Sequence, residues 1–345
     1  MRILFCGRFD PSYNRTRIII EGLRKSGAEV NLYTYPKKRN ANKKDLKKRI
    51  EESDLIILPS FTHTDLPFIR RLTDKPILFD PLISRYLTKV YDYKTISRNS
   101  PRALKNYLKD SRSLSRADLI LADTQAHKDY YTSNYKVSPE KIKVVPIGVI
   151  MDDFYPSKKS NSTGDRITIG FYGSFIPLHG IEIVLQAAEL LKDDNELYFK
   201  MIGDGVLFGE MKGLALKMGL NKVDFAGWKP YEELNREIND FDIALGIFGS
   251  SEKAKMVIPN KIFHYAACQK PVISMECDGI REIFTHNEDI YLVQPDPGSL
   301  AEGIRKLKNA KDREKIALNA YRLVTEEYNE KKIGSMVLDF IHDHL

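Results

Sequence analysis

The chain is poor in the residues that build special-purpose sites. Of its 345 residues three are cysteine and one is tryptophan. Cys6, Cys268 and Cys277 are odd in number and stand at no metal-site or Cys-x-x-Cys spacing. That excludes a disulfide framework and points to a reducing compartment. No run of about 18 apolar residues occurs, so no transmembrane helix is expected. The opening MRILFCG has five apolar or small residues between Arg2 and Arg8, too few for a signal-peptide core. A cytoplasmic protein, free or held at the inner face of a membrane, is the expectation. HExxH, Walker A, a Ser-His-Asp order and paired-cysteine motifs are all missing.

What is present is ordinary for a globular protein: 42% hydrophobic and 29% charged residues, in a length that suits two domains. The net charge of +7 is unevenly spread. Pro36–Arg49, PKKRNANKKDLKKR, holds eight basic residues against the single acid Asp45. Leu46 and Ile50 would give a helix there a small apolar edge. The segment reads either as a solvated face or as a reversible contact with an anionic bilayer, where each basic side chain is worth about 1 kcal/mol. No aromatic interleaving or binding module accompanies the charge, so nucleic acid is not an expected partner.

Short apolar runs alternate with helical patterns. In the first half the predicted strands are Arg2–Gly7, Glu29–Tyr35, Asp54–Ser60, Pro76–Pro81, Ala117–Thr124 and Lys141–Val149. In the second they are Arg166–Gly173, Leu197–Gly203, Val223–Trp228, Asp242–Phe248, Pro271–Met275 and Ile290–Gln294. Continuous Val, Ile and Leu runs are those of parallel sheets covered on both faces, so two doubly wound α/β domains follow. Met151–Arg166, polar and aperiodic, is the linker candidate, and beyond Asp312 the pattern is helical throughout. Two such domains leave a cleft at the carboxyl ends of their strands, where ligands collect.

Several stretches fit anion binding without proving it. Gly203-Asp204-Gly205 follows a strand and opens a helix, but the spacing to Gly209 is GxGxxxG and Asp224 starts the next strand; a tight turn suffices. Gly173 and Ser174 leave the first strand of the second domain, and His179-Gly180 stands where helix N–H groups face outward. In SEKAKMVIPNKIFHYAACQKPVIS (251–274), Lys253, Lys255 and Lys261 gather before and within the first turn of a helix opened by Pro259 and Asn260. They are either solvated surface or a phosphate clamp. Asp80 ends the fourth strand of the first domain and is the candidate polar group there; His63 just follows the third. Trp228, at the end of its strand, could flank a base, although packing is the commoner role.

ADLILADTQAHKDYY with KIKVVPIGVIMDDFYP, then IGFYGSFIPLHGIEIVLQAAELL, KMIGDG, VDFAGWKPYEEL and IPNKIFHYAACQKPVIS, in that order and spacing, resemble the retaining glycosyltransferases of family four, of GT-B fold. The resemblance implies two facing Rossmann-like domains, 1–155 on the acceptor side, completed by a returning C-terminal helix at 326–345, and 156–325 for the nucleotide sugar. It implies a metal-independent hexosyltransferase moving a sugar with retention from a nucleotide-diphosphate sugar to a glycan or lipid-linked acceptor hydroxyl, without a further cofactor. The sequence departs from the family pattern: Ser174 and His179 stand where a basic pair is usual, and Met256 and His264 where two glutamates are. The departures make Lys253, Lys255 and Lys261 the expected diphosphate clamp, with Asp80, Lys255 and Lys261 in catalysis, and leave His264 facing the ribose. A degenerate binder without turnover and a nucleotide-sugar epimerase are the alternatives.

Overall fold

Runs of Val, Ile and Leu become strands because each position is covered from both sides. Leu55–Leu58, Ile77–Phe79 and Leu119–Ala122 are buried at every residue. The computed structural model describes residues 1–159 and 166–345, and they divide into two units, 1–148 with 329–345, and 149–328. The first contains β1 (Arg2–Gly7), β2 (Glu29–Thr34), β3 (Leu55–Leu58), β4 (Ile77–Phe79), β5 (Leu119–Ala122) and β6 (Ile142–Val144) in the order β2-β1-β3-β4-β5-β6. The second contains β7 (Ile167–Tyr172), β8 (Leu197–Ile202), β9 (Val223–Gly227), β10 (Ile243–Leu245), β11 (Val272–Met275) and β12 (Tyr291–Val293) in the order β12-β11-β10-β7-β8-β9. Every pairing is parallel. Each predicted strand is found, shorter at one or both ends except β1. Residues trimmed at the carboxyl ends, Asp80, Gly173 and Gly203 among them, lie in the turns that follow the strands.

Four readings of the sequence change. The helical C-terminus is two helices, Ala310–Glu327 and Glu330–His342, because Asn329 breaks the first and caps the second through its side chain and the Lys332 N–H. The unit boundaries fall at 148/149 and 328/329, where the Val149 N–H donates to the Tyr328 carbonyl at 3.0 Å. The linker candidate 151–166 is not free chain over its described part. Phe154 is buried against His264 and Tyr231, and the Tyr155 and Ser157 N–H groups donate to Asn235 and Asn239; its residues 160–165 lie outside the described residues. Finally, the apolar edge expected at Leu46 and Ile50 is buried in the core of the first unit, so the helix Lys43–Glu52 offers a bilayer charge but no apolar face. No helix among the described residues is long and apolar enough to cross a membrane.

The last helix returns to the first unit by close backbone contact. Helix Glu330–His342 packs on helix Asn14–Lys25 where Gly22 meets Gly334. A Cβ added at Gly334 would lie 2.0 Å from the carbonyl carbon of Gly22, and one at Gly22 would lie 2.2 Å from the Glu330 oxygen. Lys25 closes the end of the contact on Glu330 at 2.5 Å. Gly334→Ala is therefore expected to destabilise the first unit by about 1–3 kcal/mol, the usual cost of overpacking. Chemical denaturation checks it, with exposed Lys331→Ala as the neutral control.

Candidate active site

The second sheet ends in glycine turns that let three pieces of backbone meet. After β7 the chain turns at Gly173, with φ of +144°, and after β8 at Gly203, with φ of +137°. A Cβ at Gly203 would sit 1.9 Å from the Gly173 oxygen. The Gly173 N–H donates to Ile202 O at 2.9 Å, and the Phe175 N–H to Asp204 O at 2.9 Å. These bonds set the depth of the turn at Gly173.

Into that turn reaches Lys261. It is the second residue of the helix Asn260–Ala267, whose N-cap is Pro259, with no side chain capping it. Its Nζ stands 3.8 Å from the centre of the Phe171 ring and 6.0 Å from that of Tyr172. A Cβ at Gly173 would come within 2.8 Å of it. Nζ is buried and has no hydrogen-bond partner among the described residues. Burial pushes this amine well below the usual lysine range, and the Phe171 face supplies only part of what water would.

His179 lies beside it, 3.3 Å by its Cε1 from the same imagined Cβ. Its Nδ1 contacts the carbonyl oxygen of exposed Ser174. Burial first, then the charges of Lys261 and Lys253, hold the imidazole neutral. Lys253, on the short helix Glu252–Met256, is itself buried. Gly173, Ser174, His179, Gly203, Lys253 and Lys261 are thus brought together, at a helix start that already favours anions.

Other predicted residues stand elsewhere. Lys255 is exposed and pairs with Glu252 at 3.0 Å. Asp204 turns its carboxylate back to accept the Gly205 N–H at 2.7 Å. Trp228 is 70% exposed just beyond β9. His264 is buried, stacked on Phe154 with ring centres 3.9 Å apart, and hydrogen-bonded through Nδ1 to the Tyr172 hydroxyl. Burial lowers its pKa to about 3, and its Nε2 has no partner among the described residues.

In the first unit, Asp80 is half of a buried ion pair. Arg15 Nε lies 3.1 Å from its Oδ2, and Arg15 Nη1 donates to the carbonyls of Val145 and Pro146 at 2.8 and 2.6 Å. The pair ties the end of β4 to the chain after β6. Burial raises the Asp80 pKa and Arg15 opposes the rise. Sequence reasoning missed Arg15, whose only signal was a cation opening an apolar helix, and missed Phe171 and Tyr172, which looked like strand residues.

Residues 156–323 match the family model of the group 1 glycosyl transferases. The second unit is a group 1 glycosyltransferase domain. Among curated relatives, an uncharacterized glycosyltransferase of Methanocaldococcus jannaschii is 29% identical over 140 residues, 40% of this chain and 37% of its own. The GPI3 subunit of the phosphatidylinositol N-acetylglucosaminyltransferase of Saccharomyces cerevisiae is 23% identical over 204 residues, 57% of this chain and 44% of its own. The matched stretches thus span less than half of these relatives. The structure of HepE from Anabaena in complex with UDP and glucose superimposes with a TM-score of 0.77 over 99% of this chain and 100% of that one, at 17% identity. Sucrose-phosphate synthase of Thermosynechococcus elongatus gives 0.79 over 99% and 98%, at 16% identity. At such identities the likeness establishes the fold, the two-domain α/β architecture known as GT-B.

The buried His264 carries a pH signature. An imidazole that stays neutral in the fold down to about pH 3 stabilises it fully above pH ~6.5; as pH falls from there, the unfolded chain takes up a proton that the fold refuses. Asp110, raised to about 6 by burial, acts in the opposite sense but is shared by a His264→Gln variant. The melting-temperature gap between wild type and His264→Gln is therefore expected to be widest near pH 7 and to narrow by pH 4.5, as followed by circular dichroism.

Proposed function

We propose that this chain is a metal-independent glycosyltransferase that moves a sugar, with retention, from a nucleoside-diphosphate sugar to the hydroxyl of a glycan or lipid-linked acceptor. The observation that carries the reading is Lys261: an amine without a hydrogen-bond partner among the described residues, buried against the Gly173 turn at a helix N-terminus. A diphosphate supplies what this amine lacks. Its oxygens would hold Lys261 protonated, with the Lys253 charge and the first-turn N–H groups of helix Asn260–Ala267 adding to the field. As the glycosidic C–O bond breaks, negative charge grows on the departing phosphate oxygen, and a preorganised cation stabilises that state more than the ground state. Gly173, Ser174, His179, Gly203, Asp204 and Gly205 shape the diphosphate turn, His264 offers Nε2 to a ribose hydroxyl, and exposed Trp228 is free to cover a base. The first domain takes the acceptor, with Asp80 held in place by Arg15. Lys255, paired in solvent, contributes little.

The named relatives agree in class. HepE is described with UDP and with UDP-glucose, and others act on phosphatidylinositol or D-inositol 3-phosphate. Isothermal titration with UDP and GDP tests the site. Lys261→Ala is expected to weaken binding at least tenfold, the loss of a charge-assisted bond of about 1.5–3 kcal/mol, while Lys255→Ala leaves it within twofold. Equal binding in both variants would overturn the clamp. Affinity is also expected to fall as pH rises, starting below the usual lysine range, because the anion needs the protonated amine and burial has lowered its pKa. Labelled nucleotide sugars with a lipid extract then separate transfer from donor isomerisation or mere binding, and the anomeric proton coupling of the product reports retention.

A further inference from the structure

A second concentration of positive charge lies in the first unit, in a groove of about 450 Å³ between the segment 64–71 and the helix Pro101–Leu114. Thr64 and buried His63 line it together with Arg71, Lys109, Arg112 and Arg116. Among the described residues Arg71, Lys109, Arg112 and Arg116 make no salt bridge, although the Asp110 carboxylate favours the Lys109 charge and its Oδ1 stands 3.8 Å from His63 Nε2. The nearby acids are mostly held by other groups, though Asp110 Oδ1 has no hydrogen-bond partner among the described residues. Asp110 accepts from Ser84 at 2.8 Å and the Tyr86 N–H at 2.9 Å, Asp118 pairs with Arg70, and Asp65 with Arg8 at 3.0 Å. Burial, then the like charges of Arg85, Lys105 and Lys89, hold the Lys109 ammonium below the usual lysine range against the opposing charge of Asp110.

Such an arrangement is unfavourable to an empty helix. Lys105 and Lys109 stand four residues apart in the helix with like charge, a spacing that destabilises helices, and Arg112 in its last turn and Arg116 just beyond its end add more positive charge. A multiply charged anion removes the repulsion, and guanidinium forks match phosphate geometry better than a lone point charge does. The volume exceeds that of one phosphate and leaves room for its substituent.

We propose that this groove binds a phosphate-class anion, a pyrophosphate or a phosphomonoester, at a site separate from Lys261. The phosphate comes either from a soluble molecule or from a lipid headgroup. The second source has a structural counterpart in Leu104 and Leu108, which lie 57% and 39% exposed on the same helix, two turns and one turn before Arg112.

The test uses the full chain carrying Lys261→Ala, so that the donor site does not contribute. Titration with inorganic pyrophosphate, at ionic strength matched with chloride, is expected to show one site, weakened at least tenfold by Lys109→Glu with Arg112→Glu and kept within threefold by Arg112→Lys. Both positions are solvent-accessible, and a circular dichroism melt confirms folding. Absence of pyrophosphate binding, or equal affinity in the charge-reversed variant, would overturn the proposal. Cosedimentation with phosphatidic acid vesicles separates the sources. Vesicle binding that Leu104→Ser with Leu108→Ser abolishes, at unchanged pyrophosphate affinity, assigns the phosphate to a headgroup; pyrophosphate binding without vesicle binding assigns it to a soluble ligand.

Discussion

Lys261 is buried without a counter-ion or hydrogen-bond partner among the described residues, and much of the second domain is arranged around that fact. Taking an ammonium out of water costs several kcal/mol unless something replaces the lost solvation. Here Phe171 offers a ring face, and Gly173 offers the room that no other residue could, since a side chain there would occupy the place of Nζ. Phe171 is presented by β7, the depth of the Gly173 turn is set by its bonding to β8, and the angle of attack is set by the helix leading into β11. A change in any of the three would move the amine.

Parallel sheets make such convergence inexpensive. All strands of a sheet end on one side, so the turns leaving β7, β8 and β9 are neighbours although they are far apart in sequence. The same rule places Asp80 and Arg15 at the strand ends of the first domain. There the outcome is a closed ion pair with both partners buried, whereas in the second domain Lys261 is buried with no hydrogen-bond partner among the described residues.

The two domains also hold positive charge in different physical states. In the second, Lys253 and Lys261 are buried, where interactions are poorly screened and a proton's affinity follows what binds beside it. In the first, the basic residues of 36–49 and of the groove along Pro101–Leu114 are largely solvent-accessible, where salt weakens them and only their number and convergence give binding strength. The first state suits a reaction in which charge develops during bond cleavage; the second suits capture and retention of an anion.

Much of this was legible in the sequence. Strand-forming runs of β-branched and aliphatic residues declared both sheets, because burial on two faces demands apolar residues at consecutive positions, and this demand is local. The order and spacing of the blocks from ADLILADTQ to IPNKIFHYAACQKPVIS carried the family resemblance, because each block is a short contiguous piece of strand, turn or helix start. What the sequence could not carry was the direction of side chains. Lys253, Lys255 and Lys261 are alike as letters, yet the short helix Glu252–Met256 turns Lys253 inward and Lys255 to Glu252, and the next helix sends Lys261 under Gly173. Phe154 read as linker and is core; Leu46 and Ile50 read as a membrane edge and are core. Local pattern determined which segments would be strands and helices. Which cations are buried, and beside what, was decided only by tertiary packing, because burial depends on neighbours brought from distant parts of the chain.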